Sequence, residues 1–481
     1  MEATITNPIN VRNVVPISLL QQDTFSIMTY QMYVFSLILT WFPSKILSYG
    51  SPYILMIFVF VVYNNYELLF NYIKTTIIII LFLGVNYIIR EKYIFSNGVL
   101  TIVTYGPFIL LWAMSNKSIS KVYIRKIIRV TYFFVFFQSS IGIVQFAIAY
   151  IKFGGYSVDM GDFIQGSIVP LSFNLEGDRG IGNAYFVINI LIMTLFLLVD
   201  EKKDRKSYLI ITLGCITVIL AGVHHALISL FLGLFLALCI AEFTKALKYS
   251  FAIIPAILAA GTIFYLLNPN NVYLYSHYFN LYATGESFKT LAMKKAIIDL
   301  YQDHPDISVL GTGLGQFSSR AGLIASGTYL GGLDENRSIP FFPISQSEYF
   351  KNYAFDIYYS MKMDKSTVHG AASRTFFSLM SIYVELGIAV SIIIVFYIIQ
   401  KIRSLKTRYL LFNNYNLNYE KNIVIIIIAT ILFFIFISFF ENYLEMSQAT
   451  LTCFILIKIF YNKISQPINK TIIEKQTAKY L

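Results

Sequence analysis

The stretch "VLGTGLGQFSSR", Val309–Arg320, places Gly311, Gly313 and Gly315 within five residues and closes on an arginine. Glycine-dense runs let backbone N–H groups close around phosphate oxygens, because no Cβ stands in the way. The run lacks the lysine and Ser/Thr of a P-loop, and no strand–helix pattern frames it, so a nucleotide is a weak reading. The competing reading is structural: the three glycines turn the chain tightly onto neighbouring helices. Arg320, directly after the run, is the cation best placed to serve a phosphate there.

Other residues of chemical interest are spread along the chain. Arg179 lies in "GDRGIGN", just before an apolar run; it is either an interfacial arginine beside Asp178 or an anion ligand. His224 and His225 fall between two apolar runs, where ionisable groups are costly and usually functional. Lys289, Lys294 and Lys295 share the stretch "ESFKTLAMKKAIIDLYQDH", and His304 before Pro305 reads as its helix cap. His369 and Arg374 precede another apolar run. An imidazole there could take a proton from a sugar hydroxyl, or could be a plain surface histidine. Glu441 and Glu445, spaced i and i+4 between apolar runs, read as mutually repelling surface acids. Arg337 reads as a solvated loop charge, and the 36 tyrosines as interface anchors or as stacking faces for sugars.

The setting for these residues is a membrane. Of 481 residues, 57% are hydrophobic and only 13% are charged, against about 25% in a soluble domain. Apolar runs such as "NIVIIIIATILFFIFISFF" approach the roughly 20 residues that a helix needs to cross the hydrocarbon core. The first residues, "MEATITNPINVRNVVP", hold no apolar h-region, so no cleavable signal peptide is expected. The net charge of +11 does not point to nucleic acid, because Lys and Arg cluster at the ends of apolar runs. Cys215, Cys239 and Cys453 all fall inside such runs, with a spacing that fits neither a zinc site nor a disulfide framework.

About twelve spans are expected: 24–42, 47–64, 73–90, 98–115, 130–151, 184–199, 208–223, 226–241, 249–267, 374–400, 422–440 and 446–461. The segments "NKSISKVYIRK", "DEKKDRK", "TKALK" and "KIRSLKTR" and the lysine-bearing tail are basic, which makes them and both termini cytoplasmic. The opposite loops are poorer in cations, apart from Arg90 and Lys92. The chain then divides into three parts: residues 1–268 with nine spans and an outer loop at 152–183, an outer loop domain at 269–373, and residues 374–481 with three spans and the tail. The long loop exceeds what a connector needs and should fold as a small cap. In its helical stretch Phe288, Leu291, Met293, Ile297, Ile298 and Tyr301 recur at roughly helical spacing, as an inward face would. No internal repeat marks a two-fold transporter.

Four quoted segments carry a resemblance. "KTLAMKKAIIDLYQDHPDISVLGTGLGQF" is similar to the cation-led helix and "hP..G.G.G.F" motif in the large periplasmic loop of the polysaccharide polymerase (Wzy) and O-antigen ligase superfamily. "SRTFFSLMSIYVELGI" resembles that family's "HN..L..L.E.G", "EGDRGIGNAYF" its "R..G...N..A", and "LAGVHHALISLFLGL" its "tgSRgall". The matches run in the family's order over roughly residues 170–400; the first five spans match only in hydropathy.

The resemblance implies an all-α polytopic membrane protein of the GT-C-like kind. It implies a glycosyltransferase in the bacterial inner membrane whose active site faces the periplasm, working without nucleotide, metal or other cofactor. Donor and acceptor would be polyprenyl-diphosphate-linked glycans, with membrane lipids around them and a chain-length regulator and a flippase as further partners. Residue by residue, it implies diphosphate binding at Arg179, at His225 in place of an arginine, at Lys289 and Lys295, and at Arg320 with Gly311, Gly313 and Gly315. It implies catalysis by Arg374 with Arg179; His369, the candidate base by its own chemistry, would join them only if the loop carries it to the site. The ligase histidine would fall at Phe376, and its replacement favours the polymerase.

Overall fold

The computed structural model describes residues 17–42, 44–154, 158–167, 183–201, 203–248, 251, 262, 269–327, 344–363 and 375–466. Among these, all regular structure is helical. Six helices are long and apolar enough to cross a membrane: Ile46–Tyr63, Tyr66–Ile89, Lys121–Phe153, His224–Ala241, Ser378–Asn414 and Asn418–Ile437. A seventh span results if Phe95–Thr104 and Gly106–Ala113, which meet at 61°, are taken together. These helices mark the chain as membrane-embedded.

The count falls short of twelve for physical reasons. The expected span 98–115 is the bent pair, broken beside Gly106-Pro107, where proline can only open a helix. Those at 184–199 and 208–223 are helices of 15 and 16 residues, Asn183–Leu197 and Arg205–Leu220. Most of 249–267 lies outside the described residues. Ser447–Ile464 has the length but too many polar residues. It needs no lipid contact, because almost all its side chains are buried by other helices. Polar groups fasten it there: Asn189 donates to the Gln448 carbonyl at 2.6 Å, and Ser48 donates to Gln448 Oε1 at 2.8 Å. Inter-helix hydrogen bonds of this kind hold membrane bundles where hydrophobicity supplies no preference.

The helix ends sort into two groups. At one end, Ser120 N–H bonds Ser26 Oγ, Asn462 donates to the Ser115 carbonyl, and Arg408 donates to the Ile464 carbonyl. This end gathers the basic segments, although "KIRSLKTR" and much of "NKSISKVYIRK" prove helical rather than loop. Lys, Arg and Leu are good helix formers, so a helix runs on past its lipid-facing part. At the other end lie the turn Ala221–Val223 before His224, the residues 439–446 and a cap of short helices.

The cap has its own apolar cluster, in which Ala292, Ala296, Leu300, Phe350 and Tyr358 meet Phe376, Phe377 and Met380. Its helical stretch is present as Phe288–Lys294, a π-turn at Lys295–Asp299, and Leu300–Asp303. The expected inward face is partly wrong. Phe288 and Tyr301 do pack against the cluster, but Leu291, Met293, Ile297 and Ile298 are exposed. The small residues Ala292 and Ala296 turn inward instead, and the π-turn shifts the phase of the residues that follow it.

The helix Ser378–Asn414 is broken at Gly387, whose φ of 72° and ψ of 178° suit only glycine. The break frees carbonyls and amides that must be satisfied inside the protein. Residues 308–313 do this from both sides: Thr312 N–H bonds the Val384 carbonyl and Gly313 N–H the Glu385 carbonyl. In return, Ile388 N–H bonds the Ser308 carbonyl and Ala389 N–H that of Val309. A Cβ at Gly387 would lie 2.3 Å from Gly311 N. Gly387→Ala should therefore lower stability by roughly 3 kcal/mol or more. Thermal unfolding in detergent checks this, and an unchanged midpoint would mean that the break is not locked.

Candidate functional site

The glycine run is the central strap of the cap end. Gly311, Gly313 and Gly315 all have positive φ. A Cβ at Gly311 would sit 2.4 Å from the Glu385 backbone, and one at Gly315 would sit 2.2 Å from the Asn97 carbonyl oxygen. What the loop cradles is Glu385, whose side chain is 1% exposed. Gly315 N–H donates to Oε2 at 2.7 Å, while Phe317 and Ser319 N–H donate to Oε1 at 3.1 and 3.0 Å. Successive amides turned toward one point make an anion nest. Here the anion is the protein's own carboxylate, so these amides are not turned toward an outside phosphate. The amides of Gly311 and Gly313 are likewise turned to the protein, to the backbone carbonyls of Ile307 and Glu385.

Arg320 continues the strap and is itself buried. Its Nη2 pairs with Glu441 Oε1 at 2.7 Å, its Nε reaches the Asn442 carbonyl at 3.5 Å, and its N–H donates to Glu445 Oε2 at 2.5 Å. Lys289 arrives from the cap helix and donates to the carbonyls of Phe440 at 2.8 Å and Phe439 at 3.3 Å. Those carbonyls lie just beyond the end of the helix Asn418–Ile437, where a cation also meets the negative end of the helix dipole. His225, in the first turn of its helix, holds the Tyr443 hydroxyl at 3.0 Å through Nε2 and stacks on that ring. Three residues from three distant segments thus converge on one short turn, 439–446.

Burial pulls the Lys289 ammonium down to about 8, against the Glu441 charge, which pushes it up. Burial pushes the Glu445 carboxyl up to about 8, with the Glu385 charge adding and Arg320 opposing. Two buried basic side chains, Lys289 and Arg320, thus meet at a turn where the nearest carboxylate to pair with is the partly exposed Glu441. Such a patch in a water-poor setting can hold an anion or stabilise charge developing on one.

The remaining expected residues fare differently. Lys295 points away, exposed and paired with Asp299 at 2.9 Å on its own helix. Arg179, His369 and Arg374 lie outside the described residues, as does Arg337. His304 ends its helix, and its ring meets those of Tyr349 and Tyr353 edge-on. Among the described residues no group of three or more His, Cys, Asp or Glu could hold a metal ion.

Sequence reasoning missed several residues. Glu441 and Glu445 are not repelling surface acids: the turn is not helical, so the i, i+4 spacing does not stack them, and Glu445 is fully buried. Arg90 was visible only as an exception to the charge pattern. It is 9% exposed, donates from Nε to Asn86 Oδ1 at 3.2 Å, and forms no ion pair among the described residues. It is a third buried cation at the cap end, after Lys289 and Arg320, and lies beside Tyr93 and Tyr301.

No protein-family model, no curated protein and no solved structure matches this chain. The fold and site place it as an all-helical membrane-embedded protein with a cluster of buried basic side chains under a helical cap.

A carboxyl with a raised folded pKa makes stability fall as pH climbs from its unfolded value of 4.5 to about 8. Lys289, with a lowered pKa, contributes the opposite slope only between about 8 and 10.5. Glu445→Gln should therefore gain on the wild type between about pH 5 and pH 8, by at most about 1.4 kcal/mol per pH unit. Unfolding midpoints in detergent across that range test the claim, and parallel profiles for the two proteins would refute it.

Proposed function

We propose that the chain is a polymerase that joins polyprenyl-diphosphate-linked oligosaccharide repeats into O-antigen or capsular polysaccharide at the outer face of the bacterial cytoplasmic membrane. The observation that carries this reading is the convergence of His225, Lys289 and Arg320 on the 439–446 turn. His225 and Lys289 were singled out by the resemblance and Arg320 by its place after the glycine run, and nothing in their sequence separation requires them to meet.

The chemistry asks for such a cluster. Cleaving the anomeric C–O bond moves an electron pair onto the departing diphosphate, which gains negative charge. Lys289 and Arg320, held in place by Phe440 and Glu441, would meet that charge without reorganising. Burial under the cap strengthens the attraction by lowering the local dielectric. The acceptor is a hydroxyl of the second lipid-linked repeat. Arg179 and Arg374 belong to the same reading through the resemblance alone, and His369 belongs to it as the imidazole that could take the acceptor proton.

Purified protein given only its lipid-linked repeat should build a ladder of lengthening products. Lys289→Gln should slow the ladder by roughly 10²-fold, the scale for losing one group that stabilises transition-state charge. Arg179→Ala and Arg374→Ala should each abolish it without loss of membrane expression. Inertness until lipid A core is supplied would make the protein a ligase instead. Movement of the glycolipid across vesicles with no new bond would make it a transporter.

A further inference from the structure

At the opposite end of the bundle, a cleft of about 520 Å³ opens between the helix Tyr66–Ile89 and the turn Trp112–Lys117. One wall is unusual for a membrane-crossing helix. Glu67, Asn71, Lys74 and Thr75 line it, a polar stripe on one helical face. Lys74 lies about 12 Å along the helix from its first residue, at 1.5 Å per residue. It is exposed, and it makes no hydrogen bond or ion pair among the described residues. Its neighbours Ile73, Ile77 and Ile78 are exposed too, which makes this face the one that lipid chains would cover. A lysine on such a face is costly unless something polar meets it.

The other wall supplies matching chemistry. Lys117 lines the cleft and pairs with Glu67 at 2.6 Å, both well exposed. Lys458 donates to the lining residue Asn116 at 2.8 Å, which adds a third cation beside the mouth. Trp112, 67% exposed, lines the cleft and stacks on Tyr397 at 5.5 Å. An amphipathic indole at this level is the usual companion of lipid headgroups. Three lysines against one carboxylate leave the site net positive, and its lower rim is aliphatic.

We propose that this cleft binds the headgroup of an anionic glycerophospholipid, with its phosphate met by Lys74 and Lys117 and its acyl chains lying along Ile77 and Ile78. The lipid would satisfy Lys74 within the membrane-facing part of the helix. This site is independent of the cap-end cluster and of the polymerase reading.

The test uses the full chain purified in mild detergent and titrated with phosphatidylglycerol, phosphatidylcholine or inorganic phosphate. Bound lipid is read by native mass spectrometry and stability by thermal unfolding. Phosphatidylglycerol should be retained and should raise the midpoint, while the other two should do neither. Lys74→Gln and Lys117→Gln should each weaken phosphatidylglycerol retention about fivefold, the scale of one basic side chain at a charged membrane surface. Lys74→Arg should retain it. Thr75→Phe, which narrows the cleft without touching a charge, should lose it, so the proposal stays testable even if a lysine variant does not fold. Equal retention of both lipids, unchanged retention in Lys74→Gln and Thr75→Phe, or the same stabilisation by inorganic phosphate would overturn it.

Discussion

One buried carboxylate organises the cap end. Glu385 sits where the helix Ser378–Asn414 breaks, and it draws three backbone N–H groups of the strap that follows the glycines. An ionised carboxylate buried without such partners would cost several kcal/mol. The broken helix in turn exposes peptide groups that only residues 308–313 satisfy. Break, carboxylate and strap therefore form one unit, in which each part removes the cost of the others. Glycine is needed because the strap passes backbone against backbone, with Gly311 against Glu385 and Gly315 against Asn97.

The cation cluster follows from that unit. A strap held at Ser319 by Glu385 delivers the next residue, Arg320, to the turn between the last two helices. The same turn is pinned by Asn442, which donates to the Ser318 carbonyl at 2.8 Å and meets Ser381 through its side-chain oxygen. The cap helix then lays Lys289 over the carbonyls that the preceding helix leaves open. A site assembled this way holds its charges in fixed positions, which is what stabilisation of a leaving group asks of a protein. Glu445, on the far side of the strap from Glu385, makes the same region sensitive to pH.

The two ends of the bundle use charge differently. At the cap end, Lys289 and Arg320 are buried and bonded to backbone and carboxylate oxygens. At the other end, lysines stand exposed around an open cleft beside aromatic side chains, the arrangement suited to a lipid surface. Between them, Asn183–Leu197 and Ser447–Ile464 form a core surrounded by other helices and joined through Asn189 and Gln448. Asn189, Gln448, Thr450 and Thr452 find partners within the protein, so the composition of these helices need not resemble that of a lipid-facing helix.

The sequence by itself determined the helical, membrane-embedded class, because hydropathy and helix length are local properties that the bilayer reads directly. It also picked out His225, because ionisable groups between apolar runs are costly, and Lys289 and Arg320, because of the motif and glycine run that they flank. Tertiary structure decided the rest. Only packing could show that the glycine run encloses Glu385 instead of an external phosphate, because both readings need the same residues. Only packing could separate helices that meet lipid from those that meet protein, or reveal that Leu291 and Ile297 face outward while Ala292 and Ala296 face in. Glu445 and Arg90 were hidden for the same reason: their burial depends on distant segments, Arg320 for Glu445 and Tyr301 for Arg90, and no local pattern encodes them.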